Sequence, residues 1–163
     1  MPDPDFDSFP TAEKGRTYED FSDGQHFDHH WGRTLSEADN TLFCSATCNW
    51  HPLYLNREFA VSAGHSQQVV HPMLVLCTLV GLSVEDLSEA GGPFLGIEDC
   101  HFHRPVYPGD TLTASSDVLS TRQSSSRPGV GIVTWHTRGH NQNGDLVAEL
   151  TRSNLVRTKG GGL

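Results

Sequence analysis

HPMLVLCTLVGLSVEDLSEAGG, residues 71–92, decides the fold. Pro72 suits the first helical position, where its missing N–H is no loss. Met73 to Leu82 is almost wholly apolar, and Gly91-Gly92 followed by Pro93 stops the run. The stretch predicts a helix of about 19 residues and about 28 Å. A helix apolar on nearly all sides is buried on nearly all sides.

Beyond Pro93 the chain turns to β. Residues 94–106 and 111–119 read as strands joined by the turn Tyr107-Pro108-Gly109-Asp110. Residues 130–140 and 145–157 read as strands flanking Asn143-Gly144, a strong hairpin signal. Ser120 to Gly129 is a polar excursion between two of them. Upstream, 25–34 reads as a strand. Thr34-Leu35-Ser36-Glu37 matches a capping box that starts a short amphipathic helix over 35–47. Residues 49–56 (NWHPLYLN) read as a loop, with Pro52 breaking any helix. One antiparallel sheet has to wrap the long helix to bury it. The expected fold is therefore α+β, a single hotdog domain over 16–158. It comes after a flexible arm at 1–15 and precedes a fraying tail at 159–163. A lone hotdog leaves a sheet edge and a helix flank bare, which predicts a homodimer or a higher even oligomer.

The 163 residues, 36% of them hydrophobic, suffice for one core and not two. Eleven Lys+Arg against 20 Asp+Glu give a net charge of −9, which argues against a nucleic-acid partner. No apolar run approaches the roughly 20 residues of a membrane span, and no signal peptide is visible. Cys44, Cys48, Cys77 and Cys100 form no CxxC pair and read as reduced, buried thiols of a cytoplasmic protein, Cys77 as core. Ten histidines are unusually many.

Several blocks resemble the MaoC-like acyl dehydratases, the family of the (R)-specific enoyl-CoA hydratases. They are Gly32-Arg33-Thr34 with Glu37-Ala38-Asp39-Asn40, the NxxPLxxN loop, Val69-Val70-His71, the segment Pro105 to Leu112, and Ser126 to Val133. The resemblance covers about 16–157 and looks nearest to the itaconyl- or mesaconyl-CoA hydratase branch. It implies a hydro-lyase acting on a 2-enoyl or 3-hydroxyacyl thioester of CoA or acyl carrier protein, with no cofactor and no metal.

Hydration of an enoyl thioester needs a base for water, an acid for the α-carbon and a donor for the thioester oxygen. The family pattern supplies D-x-N-P-L-H in the loop and a glycine amide at the start of the long helix. This sequence departs at each point: Asn49 stands at the aspartate position, Tyr54 at the histidine position and Pro72 at the glycine position. Asn49 orients but cannot act as a base. Tyr54 carries a phenol, a group that ionises near pH 10 in water and so donates protons. His51 and His71 are the available imidazoles, either one a candidate base. The expected catalytic set is Asn49, His51, Tyr54 and His71, with the Met73 amide facing the thioester oxygen. Trp50, Phe94 and Gly96 are expected along the acyl tunnel, and Arg33, Arg57, Arg104 and Arg127 are candidates for CoA phosphates. A thioesterase would want a carboxylate, for which Glu85 and Asp86 are the best offers. The three replaced positions also fit a protein that binds the thioester without turning it over. His101 and His103 share a strand face, and helix starts account for Glu37 and Asp39.

Overall fold

A computed structural model describes residues 15–161. The expected arm at 1–15 therefore lies outside the described residues except for Gly15, as do Gly162 and Leu163. The elements are β1 (His26–Asp28), β2 (Arg33–Thr34), α1 (Glu37–Ala46), α2 (Pro52–Leu55), α3 (Arg57–Ser62), α4 (Pro72–Leu87), β3 (Phe94–Phe102), β4 (Thr111–Gln123), β5 (Val130–His140) and β6 (Leu146–Arg157). The sheet runs β1-β4-β5-β6-β3, with β2 also on β4 and every pair antiparallel. It curls around α4, which is the hotdog arrangement.

Five details differ from the expectations drawn from sequence. The 25–34 strand is two short strands, because His29 turns inward between them. The capping box is built by Ser36 and Asp39, two residues later than Thr34 and Glu37. Residues 49–56 are not all loop: Pro52 opens α2 at its first position rather than breaking it, and α3 comes next. The long helix ends at Leu87, short of the glycines. β4 runs on to Gln123, into the polar excursion, because Ser120 to Gln123 still find ladder partners on β5.

α4 is buried on one side only. Leu76, Leu79, Ser83 and Leu87 face the sheet, while Met73, Cys77, Gly81 and Val84 form an exposed stripe at helical spacing. Cys77 is therefore not core, and neither is the exposed Cys48; only Cys44 is fully buried. The sheet edge at β3 is open as well, with Phe94, Leu95 and Phe102 exposed.

Two clusters fill the interior. One joins Leu79, Leu112, Val147 and Leu150 with Leu35 and Val106. The other stacks Phe21 edge-on to Phe27 and Trp135 beneath Leu87. A buried polar line crosses between them: His29 Nδ1 lies 2.7 Å from Asp86 Oδ2 of α4, and His29 Nε2 lies 2.9 Å from Ser116 Oγ of β4. Burial pushes the His29 imidazole below its ordinary value, against the pull of Asp86. Arg152 donates to Ser83 Oγ at 3.0 Å and lies over the Trp135 ring.

Helix and sheet approach closely at Gly139 of β5. A Cβ there would collide with the δ-methyls of Leu79, which is fully buried and has nowhere to retreat. Gly139→Val is expected to cost about 1–3 kcal/mol through overpacking, read as a lower urea midpoint at unchanged slope. An unchanged midpoint would show that α4 does not seat on β5 as described.

Candidate active site

The site forms where α1, α2 and the start of α4 meet. Asn40, on α1 and 1% exposed, makes three hydrogen bonds there. Its Oδ1 accepts from the His71 N–H at 2.8 Å, and its Nδ2 donates to the Tyr54 carbonyl at 2.8 Å and the Val69 carbonyl at 3.1 Å. One amide side chain thus fixes the backbone at both proposed site segments. The chain reaches Asn49 by leaving α1 through Cys48, at φ 54°, with the Asn49 N–H donating to the Cys44 carbonyl.

His51-Pro52-Leu53 and His71-Pro72-Met73 are the same device used twice. In each, the histidine is the N-cap, proline takes the first helical position, and Nδ1 accepts the N–H two residues on. The distances are 3.2 Å to Leu53 and 3.1 Å to Met73. A nitrogen that accepts carries no proton, so a neutral imidazole held this way carries its proton on Nε2. For His71 that nitrogen lies 2.7 Å from Asn49 Nδ2, itself a donor, so the Asn49 amide has to turn its oxygen round to accept from Nε2–H. The Asn49 oxygen meanwhile accepts the His51 N–H at 3.2 Å. An amide has one oxygen to offer, and while it serves the His51 N–H it cannot also serve His71 Nε2–H. A carboxylate at this position would accept from both.

Tyr54 packs its ring 4.5 Å from the His71 imidazole, and Phe43 lies 5.2 Å away on another side. Burial pushes His71 below the ordinary imidazole range. Tyr54 also lines a cavity of about 250 Å³, together with Leu53, Val69, Pro72, Val75, Phe102 and Arg104 among others. Tyr54 is thus the wall shared by the cavity and the Asn49–His71 pair.

Of the residues singled out in the sequence, Asn49, Tyr54 and His71 come together. His51 stays nearby and exposed, its ring 5.8 Å from that of Tyr54. The Met73 N–H is at the site but engaged by His71. Trp50, Met73 and Phe94 present exposed side chains, and Gly96 lies on the open β3 edge with free space where a Cβ would stand. Neither offered thioesterase carboxylate is free: Asp86 holds His29, and Glu85 accepts from Trp31 Nε1 at 3.1 Å. Arg33 pairs with Asp39 at 2.8 Å, whereas Arg57 and Arg127 are exposed. A cap at the start of α4 was one reading of His71 from the sequence, whereas the role of Asn40 and the matching cap at His51 were missed; the repeated His-Pro dipeptide was the signal for the latter.

The sequence profile of the mesaconyl-CoA hydratases matches residues 4–161. The chain belongs to that family. It is 39% identical to the mesaconyl-CoA hydratase of Haloarcula hispanica, over 92% of this chain and 42% of that protein. Among solved structures, a MaoC domain protein of Chloroflexus aurantiacus superposes with a TM-score of 0.84 at 34% identity, covering 89% of this chain and 41% of the other. A Mycobacterium tuberculosis protein with a double hotdog fold superposes at 0.81 with 26% identity, covering 88% and 44%. The chain thus spans less than half the length of the curated mesaconyl-CoA hydratase relatives it matches. The hotdog and the MaoC-like resemblance are both borne out.

Asn40→Ala would strand the Tyr54 and Val69 carbonyls and the His71 N–H. The expected loss is about 2–5 kcal/mol in chemical denaturation. A loss below about 1 kcal/mol would mean that this junction is held by something else.

Proposed function

We propose that this domain catalyses the reversible addition of water to a short, branched 2-enoyl thioester of CoA, mesaconyl-CoA first among the substrates to try. The observation that carries the reading is the meeting of Asn49, Tyr54 and His71 at the start of α4, beside an apolar cavity of acyl size. As the thioester binds, the Met73 N–H turns from His71 Nδ1 to the thioester oxygen, and the freed lone pair of Nδ1 takes a proton from water as the water oxygen bonds to the β-carbon. Once protonated, Nδ1 no longer accepts, so the Met73 N–H stays on the thioester oxygen as negative charge grows there. That amide, at a helix N-terminus, then stabilises the oxyanion. Asn49 turns its oxygen to the Nε2–H and orients the imidazolium. Tyr54 delivers its proton to the α-carbon, and its phenolate regains a proton from solvent as the His71 imidazolium gives one up to solvent, which restores both groups. His51 holds α2 in place and is the alternative base. The chemistry calls for neither metal nor cofactor. None of the described helices is long and apolar enough to cross a membrane, and four free thiols suit the cytoplasm.

The bare β3 edge and the α4 stripe support assembly with a second hotdog, as a homodimer or a higher even oligomer. A second reading, thioester binding without turnover, is favoured by one observation: Asn49 leaves the His71–Asn49 pair with no anionic partner for an imidazolium.

Purified protein is incubated with crotonyl-, mesaconyl-, itaconyl- and 3-hydroxybutyryl-CoA, and the products are weighed by mass spectrometry. The expected result is gain of one water on the intact mesaconyl thioester, with turnover reduced about 10²- to 10⁴-fold in His71→Gln and Tyr54→Phe. Free CoA would indicate a thioesterase. Silence from folded protein would support the binding reading. The pH profile carries its own sign. A base must be neutral, and burial lowers the pKa of His71, so kcat/KM is expected to hold above pH 6.5 and fall only as pH drops through the lowered value.

A further inference from the structure

The short segment His29 to Gly32 joins β1 to β2, and with Arg33 it walls a second cavity, of about 400 Å³, through Trp31. The opposite wall is α4, with Leu74, Cys77, Gly81 and Glu85. Both ends of the segment are fixed. The His26 imidazole of β1 lies 2.6 Å from Asp117 and 3.2 Å from Asp28. On β2, Arg33 pairs with Asp39 at 2.8 Å and the Thr34 and Thr111 hydroxyls lie 2.7 Å apart. The segment itself is tied to α4 by its side chains: His29 to Asp86 at 2.7 Å and Trp31 Nε1 to Glu85 at 3.1 Å.

The His29 side chain is 0% exposed, and its hydrogen bonds run in one direction. A carboxylate accepts, so Nδ1 carries the proton and donates to Asp86. Nε2 then accepts from the Ser116 hydroxyl, and Ser116 Oγ accepts from the Thr137 hydroxyl at 2.8 Å. A second proton on the ring reverses that order. Nε2 becomes a donor, Ser116 has to turn its hydrogen toward Thr137, and the Thr137 hydrogen loses its acceptor in the core. The ring would also carry its charge out of water, beside the like charge of Arg152 on β6; Asp86 and Asp28 are the anions that face it.

We propose that His29–Gly32 is an acid-released clasp: protonation of His29 expels the ring from the core, parts Trp31 from Glu85 and opens the cavity beside α4. Burial holds the His29 pKa below the ordinary imidazole value of about 6.5, so proton uptake favours the open clasp as pH falls through that interval. Two neighbouring histidines confine the motion to the segment. His26 titrates the other way: its two carboxylates raise its pKa, so its pairing persists in acid and β1 stays on β4. His30 lies 3.6 Å from Glu85, but those side chains are 54% and 48% exposed, where an ion pair holds little.

The test is hydrogen exchange of the full chain between about pH 8 and about pH 5, with the His29 ring and the Trp31 indole N–H followed by NMR. The probe is protection of the His29 amide, which donates to the Ala114 carbonyl at 3.1 Å. Its protection is expected to be constant above about pH 6.5 and to fall about tenfold per pH unit below it, one proton per opening. The Trp31 indole signal moves in step. The Val118 amide, bonded to the Gln25 carbonyl just ahead of β1, keeps its protection. His29→Gln donates to Asp86 and accepts from Ser116 without titrating, so its profile is expected to be flat. A flat wild-type profile would overturn the proposal, as would an equal fall in His29→Gln or an equal loss at Val118. If His29→Gln does not fold, the wild-type ring decides: a His29 pKa at or above about 6.5 overturns the clasp.

Discussion

One buried amide holds the working end of this domain together. Asn40 donates to two carbonyls and accepts one N–H, and the three belong to three places that would otherwise drift apart: Tyr54, Val69 and His71. Each partner is a backbone group that would be costly to bury unpaired. α1 matters to the site chiefly because it carries this residue. The two His-Pro caps then set the directions of α2 and α4. Those directions decide which side chains face the cavity, Tyr54 from one helix and Pro72 and Val75 from the other.

Much of the fold is legible in the chain because its strongest signals are local. The apolar run after Pro72 makes α4 recognisable. Asn143-Gly144 places the β5–β6 hairpin, with Gly144 at φ 79° and its N–H donating to the Asn141 carbonyl. The alternation in β5 buries Val133, Trp135, Thr137 and Gly139 and turns His136 and Arg138 outward. Where the structure departs from these signals, a tertiary interaction outweighs a local preference. His29 leaves the strand pattern to reach Asp86 and Ser116. Ser36 takes over the cap because Asp39 lies three residues on and answers its N–H. α3, Arg57–Ser62, is too short for helical periodicity to announce it.

The histidine excess has a physical explanation that composition alone does not give. His26 lies 2.6 Å from Asp117, His29 2.7 Å from Asp86, and His103 and His136 share Glu149 at 2.9 and 3.0 Å. These are carboxylate pairings of an acidic chain. His51 and His71 serve as helix caps. The His71 cap is the one that also stands beside Asn49 and Tyr54. The loop pattern brings Asn49 and Tyr54 to the start of α4. It does not show that Nδ1 of each ring is committed to a helix amide, since that depends on the entry angle of the helix.

The proposed mechanism turns on where one proton sits. Nδ1 of His71 accepts the Met73 N–H, which leaves the proton of the neutral ring to Nε2, the nitrogen 2.7 Å from Asn49 Nδ2. The most direct measurement is the tautomer of His71, from long-range ¹H–¹⁵N correlation of the imidazole in the free protein above pH 7. The expected result is a protonated Nε2, an unprotonated Nδ1 and a Met73 amide proton coupled across its hydrogen bond. A His71 ring found with its proton on Nδ1 would contradict the mechanism, because Met73 could not then be capped and its release could not free Nδ1 for proton uptake.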